Sequence, residues 1–316
     1  MTAEDAIREE LGRAVGPATI LMAGSRAAGD VSNDSDYDLV VVLPAVRIAR
    51  ALPQLRCAQV ALEARLGAPV SVNPVPPVVL CHPERNLFVW KMLHAPRVLA
   101  GPSGPPPIPV RAPPVSAEIS FSYLLSAVFY LLDPLDPPML AGQSLPGAAS
   151  AGARKALLHV AQLRLFRRGR SAPRLADALE QVGDPSLVRV AQNLDRPAGW
   201  VSCRSAVVDE LGRSPPRQAA LRASARNLQY AVLASLRGTP RWRAAASPRA
   251  VDRKLSVAAV RLLCAVRPEG GVEPAGIASA RCALPAAMRD GAPATWSGLR
   301  DLVSAEWANA HPLMGL

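Results

Sequence analysis

Aromatic side chains are scarce in this sequence, lysine is nearly absent, and the cysteines do not pair. Phe, Trp and Tyr make up 4% of the 316 residues, too few for the rows of exposed rings on which single-stranded nucleic acid stacks. Trp90, Trp200, Trp242, Trp296 and Trp307 are dispersed, and core packing or helix docking is their expected use. Cys57, Cys81, Cys203, Cys264 and Cys282 are odd in number and form no C-x-x-C pair. That argues against a disulfide framework and a cysteine zinc site, and buried thiols are the expectation. His82, His94, His159 and His311 show no i,i+4 spacing of the kind that arms a helix face for metal. No apolar run reaches 18 residues, and the most apolar stretch, 119–132, runs into Asp133-Pro134. A membrane span is therefore not expected. The N-terminus is acidic and helical in pattern, without the basic start and apolar middle of a signal peptide, so a cytoplasmic chain is expected.

What is present is apolar and basic. Half of the residues are hydrophobic and 19% are charged, which excludes a disordered chain, and the length suits two domains. Residues 1–105 hold ten basic and ten acidic side chains, so the net charge of +11 lies wholly beyond them. A basic half of this kind could draw in a polyanion such as nucleic acid, a triphosphate or an acidic partner. Only Lys91, Lys155 and Lys254 are lysines. Arginine at every other basic position equally fits GC-rich coding of an ordinary surface. The densest basic group, Arg164, Arg167, Arg168, Arg170 and Arg174, is expected to serve helix-end carbonyls and the helix dipole.

The proline-rich stretch 101–114 cannot continue a helix or a central strand, because proline removes backbone donors and fixes φ. It divides the chain into an N-terminal domain, 1–103, a linker, 104–115, and a C-terminal domain, 116–316. Before the linker, helical segments at 4–15, 46–66 and 84–93 alternate with strands at 18–23, 37–43 and 70–75 and an extended 97–99. Thr2 is placed to cap the first helix, and Pro53 to break or kink the second. Such interleaving predicts an α/β layer with a short mixed sheet. After the linker, period-3.6 apolar faces at 116–132, 151–167, 174–182, 216–237, 251–266 and 294–311 predict an all-α bundle.

One segment carries chemistry. An apolar strand delivers Gly24-Ser25, a small-residue turn follows, and Asp36 and Asp38 open a second apolar strand. Residues two apart in a strand point to one side, about 6.6 Å apart along it, so the two carboxylates can share a divalent ion. The strand continues as Leu39-Val-Val-Val-Leu43, apolar on both faces, and is expected to be central and rigid. Gly24 permits close backbone approach, and Ser25 offers a hydroxyl to a phosphate oxygen. The plain alternative is a solvated acidic loop, 30–38, between two core strands.

This arrangement resembles the nucleotidyltransferase superfamily that includes DNA polymerase beta and the kanamycin-type antibiotic nucleotidyltransferases. Gly24, Ser25, Asp36 and Asp38 match its motif, and Arg26 and Gly29 fit its Gly-Ser-x-Ala-x-Gly form. Similarity covers residues 1 to about 100, and Ala153-Arg-Lys-Ala-Leu-Leu looks like the opening of a helix in the antibiotic-modifying members. The resemblance implies transfer of a nucleoside monophosphate from a triphosphate, with ATP expected, to an acceptor hydroxyl, releasing pyrophosphate. It implies Mg²⁺ or Mn²⁺ on Asp36 and Asp38, nucleotide phosphates on Gly24 and Ser25, and charge neutralisation by Arg26 and Lys155.

The sequence departs from the family at one point. Active members place a third carboxylate on a neighbouring strand, and the strand available here, 70–75, carries Ser71 and Asn73. Asn73 can offer an oxygen to a metal but cannot act as a base. Glu118 is the first candidate for the base and Glu84 the second, with a solvated first-turn helix acid as the plain reading of Glu118. A small-molecule acceptor is favoured over RNA or protein, although the charge of the second half suits an anionic or neutral one. The competing reading is a nucleotide-binding or partner-binding protein, regulatory or antitoxin-like, that kept the fold without catalysis.

Overall fold

The computed structural model describes residues 2–27, 29, 36–77, 96–101, 117–172, 174–213 and 248–310. Those up to Gly101 form one compact unit and those from Ala117 onward another. The expected linker, 104–115, the helices at 84–93 and 216–237, and Glu84, Cys81, Trp90 and Trp242 lie outside the described residues.

The first unit begins with α1, Ala3–Val15. Thr2 accepts a hydrogen bond from the Asp5 amide while the Asp5 carboxylate accepts one from the Thr2 amide, a reciprocal cap that satisfies two orphan donors. Ile7, Leu11 and Val15, four apart, line one face of the helix, as the periodicity implies. Next come β1, Thr19–Ala23, a short helix α2, Gly24–Ala27, and β2, Tyr37–Val42. Helix α3, Ala45–Leu66, runs through Pro53 without the expected break and ends on Gly67 in the left-handed conformation. Strands β3, Val70–Val75, and β4, Arg97–Ala100, complete the unit.

The sheet is mixed, in the order β3-β2-β1-β4, with β1 antiparallel to both β2 and β4 and β2 parallel to β3. Ile20, Met22, Leu39, Val41, Val70 and Val72 point to one face, where α1 and α3 cover them through Ile7, Leu11, Ile48, Leu55 and Leu62. Arg8 Nε donates to the Leu99 carbonyl at 2.7 Å and ties α1 to β4. The Pro69 and Val75 carbonyls accept from the Tyr37 and Leu43 amides of the β2 side. By alternation Pro74 directs its nitrogen away from β2, so its missing N–H costs the ladder nothing.

The second unit is helical: α4, Ala117–Leu132; α5, Gly147–Phe166; α6, Leu175–Val182; α7, Pro185–Ala191; α8, Pro197–Arg213; α9, Pro248–Ala265; α10, Pro274–Ala283; α11, Ala286–Arg289; and α12, Trp296–Ala310. Among the described residues the only β pairing in it is an isolated bridge, Val266 to Val272. Trp200, Trp296 and Trp307 are buried, Trp307 stacks on Phe129 at 4.6 Å, and Trp296 Nε1 donates to the Leu262 carbonyl. These three tryptophans thus serve packing, as expected. The cysteines correct the expectation, because among the described ones Cys203 is buried whereas Cys57, Cys264 and Cys282 are exposed on their helices.

The arginine cluster also differs from its reading. Glu210 on α8, with a side chain wholly buried, accepts from Arg164 Nε at 2.8 Å, Arg167 Nη1 at 2.7 Å and Arg213 Nη1 at 2.9 Å. Arg164 also reaches Asp184, which caps α7 by accepting from the Ser186 amide. Arg168 takes the helix-end role expected of the group, donating to the Val182 carbonyl of α6. Arg164 and Arg167 are held by carboxylates because α5 and α8 pack side by side, which sequence spacing does not reveal. No helix of the described residues is long and apolar enough to cross a membrane.

Candidate active site

The carboxylates stand at one end of the sheet. Asp38 is the second residue of β2, opposite Ala23 on β1 and Ser71 on β3. Asp36 stands one residue ahead of the strand, and both aspartates are half-buried. Strand alternation turns Asp38 to the face opposite α1 and α3, together with Leu21, Ala23, Val40, Ser71 and Asn73. On this face the aspartate is fixed by a central strand whose next residues, Leu39, Val40 and Val41, are buried. Such anchoring suits a group that must hold its position.

Gly24 closes the site from the β1 side. Its φ is +72°, and a Cβ there would overlap Oδ2 of Asp38. The glycine is thus required twice, for a left-handed backbone and for the close approach of the turn to the carboxylate. Ser25 follows as the second residue of α2, and Gly29 has φ +76° in the turn beyond. Gly24→Ala is expected to cost the fold about 1–2 kcal/mol for the left-handed conformation. Displacement of Asp38 by even 1 Å would cost about 100-fold in kcat/KM. A thermal melt beside steady-state kinetics checks both, and retention of more than a tenth of the activity would contradict the geometry.

Strand β3 supplies neutral groups. Asn73, 2% exposed, donates through Nδ2 to Ser71 Oγ at 2.9 Å, and its Oδ1 has no hydrogen-bond partner. An orphaned buried acceptor costs about 1–3 kcal/mol, a cost relieved by a cation or a donor brought in from outside. Two carboxylates and an unpartnered amide oxygen are all hard oxygen donors, the set that suits Mg²⁺ or Mn²⁺ over softer ions. Among the described residues no group of three or more His, Cys, Asp or Glu side chains gathers to hold a metal. As donors, the carboxylates of Asp36 and Asp38 and the Oδ1 of Asn73 are of the chemical kind that a divalent ion takes.

Arg26 makes a contact that the sequence did not suggest. Its guanidinium carbon lies 3.9 Å from the centroid of the Tyr37 ring. Tyr37 separates the two aspartates in sequence and packs against the apolar core beneath the sheet. Tyr37 is a residue the sequence reading passed over; an aromatic between the two acids, with an arginine in the preceding turn, was the available signal. Lys155 lies on α5 with Nζ 5.6 Å from the Tyr130 ring centroid, and Glu118 is in the first turn of α4. These two belong to the helical unit and not to the sheet.

The unit is a small mixed sheet with Asp38 on a central strand, Asp36 just ahead of it and a glycine turn against the carboxylate. Residues 4–85 match the family model of the nucleotidyltransferase domain, and this part of the chain belongs to that family. The match takes in Gly24, Ser25, Asp36, Asp38 and Asn73 and does not reach the helical unit. A comparison with curated proteins finds no match. The match supports a transferase, and the general chemistry it suggests is movement of a nucleoside monophosphate from a triphosphate.

Proposed function

We propose that the chain transfers a nucleoside monophosphate from ATP to a hydroxyl of a small-molecule acceptor and releases pyrophosphate. The observation that carries this reading is the contact of the Gly24 turn with the Asp38 carboxylate inside a nucleotidyltransferase domain. Mg²⁺ or Mn²⁺ held by Asp36, Asp38 and Asn73 Oδ1 would supply Lewis-acid stabilisation of the charge that develops on the attacking and leaving oxygens. Asp36 and Asp38 orient that charge relative to the turn, and the rigidity of β2 keeps their positions through the reaction. Gly24 and Ser25 bind the triphosphate through backbone and hydroxyl donors.

One observation favours a second reading. The register position beside Asp38 on β3 is Ser71, and the next residue on that face is Asn73, so β3 contributes no carboxylate. A nucleotide-binding protein without turnover would have this composition. Incubation with each α-labelled triphosphate and Mg²⁺ or Mn²⁺, across a panel of hydroxyl acceptors and with self-labelling scored, separates the two. Labelled product with pyrophosphate release is the expected result. Nucleotide binding with no product from any acceptor would favour the second reading.

A further inference from the structure

Helix α2 straddles the start of β2. On one side of the sheet the Gly24 backbone presses on the Asp38 carboxylate. On the other, the Arg26 side chain lies over the Tyr37 ring, and Ala27 packs against the same apolar core as Tyr37. Tyr37 and Asp38 are therefore met from the two faces of the sheet by residues of one short helix, Gly24 and Arg26. A guanidinium at 3.9 Å from a ring centroid is attracted by the ring quadrupole and lies over its face. Tyr37 in turn packs against the apolar core, which ties the arginine and the ring to the backbone between the two aspartates.

We propose that Arg26 is a positioning residue: stacked on Tyr37, it fixes the spacing of Asp36 and Asp38 and thereby sets divalent-ion affinity, instead of neutralising nucleotide charge. The proposal rests on the reading of the two aspartates as metal ligands. It assigns Tyr37 a role that its place between those ligands requires. A tilt of this ring twists the backbone on both sides and alters the separation of the carboxylates, whereas a tilt of a ring elsewhere on β2 would not.

The test is Mn²⁺ binding to the full chain without nucleotide, read from the loss of the free-ion electron paramagnetic resonance signal, with a thermal melt on every variant. Arg26→Met and Tyr37→Leu are each expected to weaken Mn²⁺ binding about tenfold, as loss of a partner behind a metal ligand does. Arg26→Lys, a gentler change that keeps charge but loses the planar face, is expected to follow them. Tyr37→Phe keeps the ring and is expected to bind within about twofold of the unaltered chain, which a role through the hydroxyl would not allow. The Arg26→Met/Tyr37→Leu double variant should bind no more weakly than the worse single one, because both changes break one interaction. Additive losses would overturn the proposal. So would unchanged Mn²⁺ affinity in Arg26→Met together with a raised KM for the triphosphate at saturating Mn²⁺, since that pattern belongs to a phosphate ligand. A chain whose Mn²⁺ binding survives Asp36→Ala/Asp38→Ala would overturn the metal reading as well, and so marks that failure apart from this one.

Discussion

Replacing Asp36 and Asp38 together by alanine is expected to abolish nucleotidyl transfer while leaving the thermal melt within a few degrees of the unaltered chain. Both side chains are half-buried at the open end of β2, and neither belongs to the apolar cluster that holds the sheet on α1 and α3. Their removal takes no packed volume from the core, so the fold loses little. The chemistry loses its anchor for divalent charge, and the loss per stabilising contact in such sites is about 100- to 1,000-fold. With both carboxylates gone the rate should fall to the uncatalysed background. Asp36→Asn and Asp38→Asn, which keep shape and remove charge, should show nearly the same loss. Measured transfer by the double alanine variant with any acceptor the unaltered chain uses would remove these residues from the mechanism.

Glu210→Ala should have the largest effect on stability. The carboxylate is wholly buried and accepts from three arginines, of which Arg164 is itself largely buried. Removing one partner from a buried ionic group leaves uncompensated charge and costs about 3–5 kcal/mol. The lower end applies, because Arg164 keeps Asp184 and Arg167 and Arg213 can turn to water. For a domain of this size about 3 kcal/mol lowers the melting temperature by about 6–12 °C. A fall of less than 2 °C would show that the network is not coupled to the fold.

The same network predicts acid sensitivity. Burial would raise the Glu210 pKa, but hydrogen bonds from Arg164 and Arg167 outweigh it and hold the carboxyl below the usual glutamate value. The Ser186 hydroxyl and amide, then Arg164, bring Asp184 down to about 2. Folded values below unfolded ones mean stability that is complete above the ordinary carboxylate range and lost as pH falls through the folded values. The melting temperature should therefore decline as pH is lowered from about 4 toward 2, and Glu210→Ala should flatten that decline.

Much of the first unit was legible because its signals are local. Thr2 with Asp5 three residues on marks the start of α1, and Ile7, Leu11 and Val15 mark its buried face. The Asp-x-Asp pair was legible because strand periodicity is short and the following residues are apolar on both faces. What could not be read is what tertiary contact decides: the seat of the Gly24 turn on Asp38, the stack of Arg26 on Tyr37, and the exposure of Cys57, Cys264 and Cys282. Helices α7, α8 and α10 were passed over for a different reason. Each begins with proline, and α8 and α10 carry an early glycine, residues that read as loop when taken alone. Proline is favoured at the first helical position, so Asp184-Pro185, a cap followed by such a start, was the available signal.

Among the described residues, the β4 margin of the sheet is a poor template for another chain. Arg97–Ala100 is only four residues long and begins with an exposed charge. A strand so short, opened by an arginine, guards the layer that carries the aspartates against edge-to-edge aggregation on that side, and Arg97→Val should raise the tendency to form β-rich aggregates on concentration.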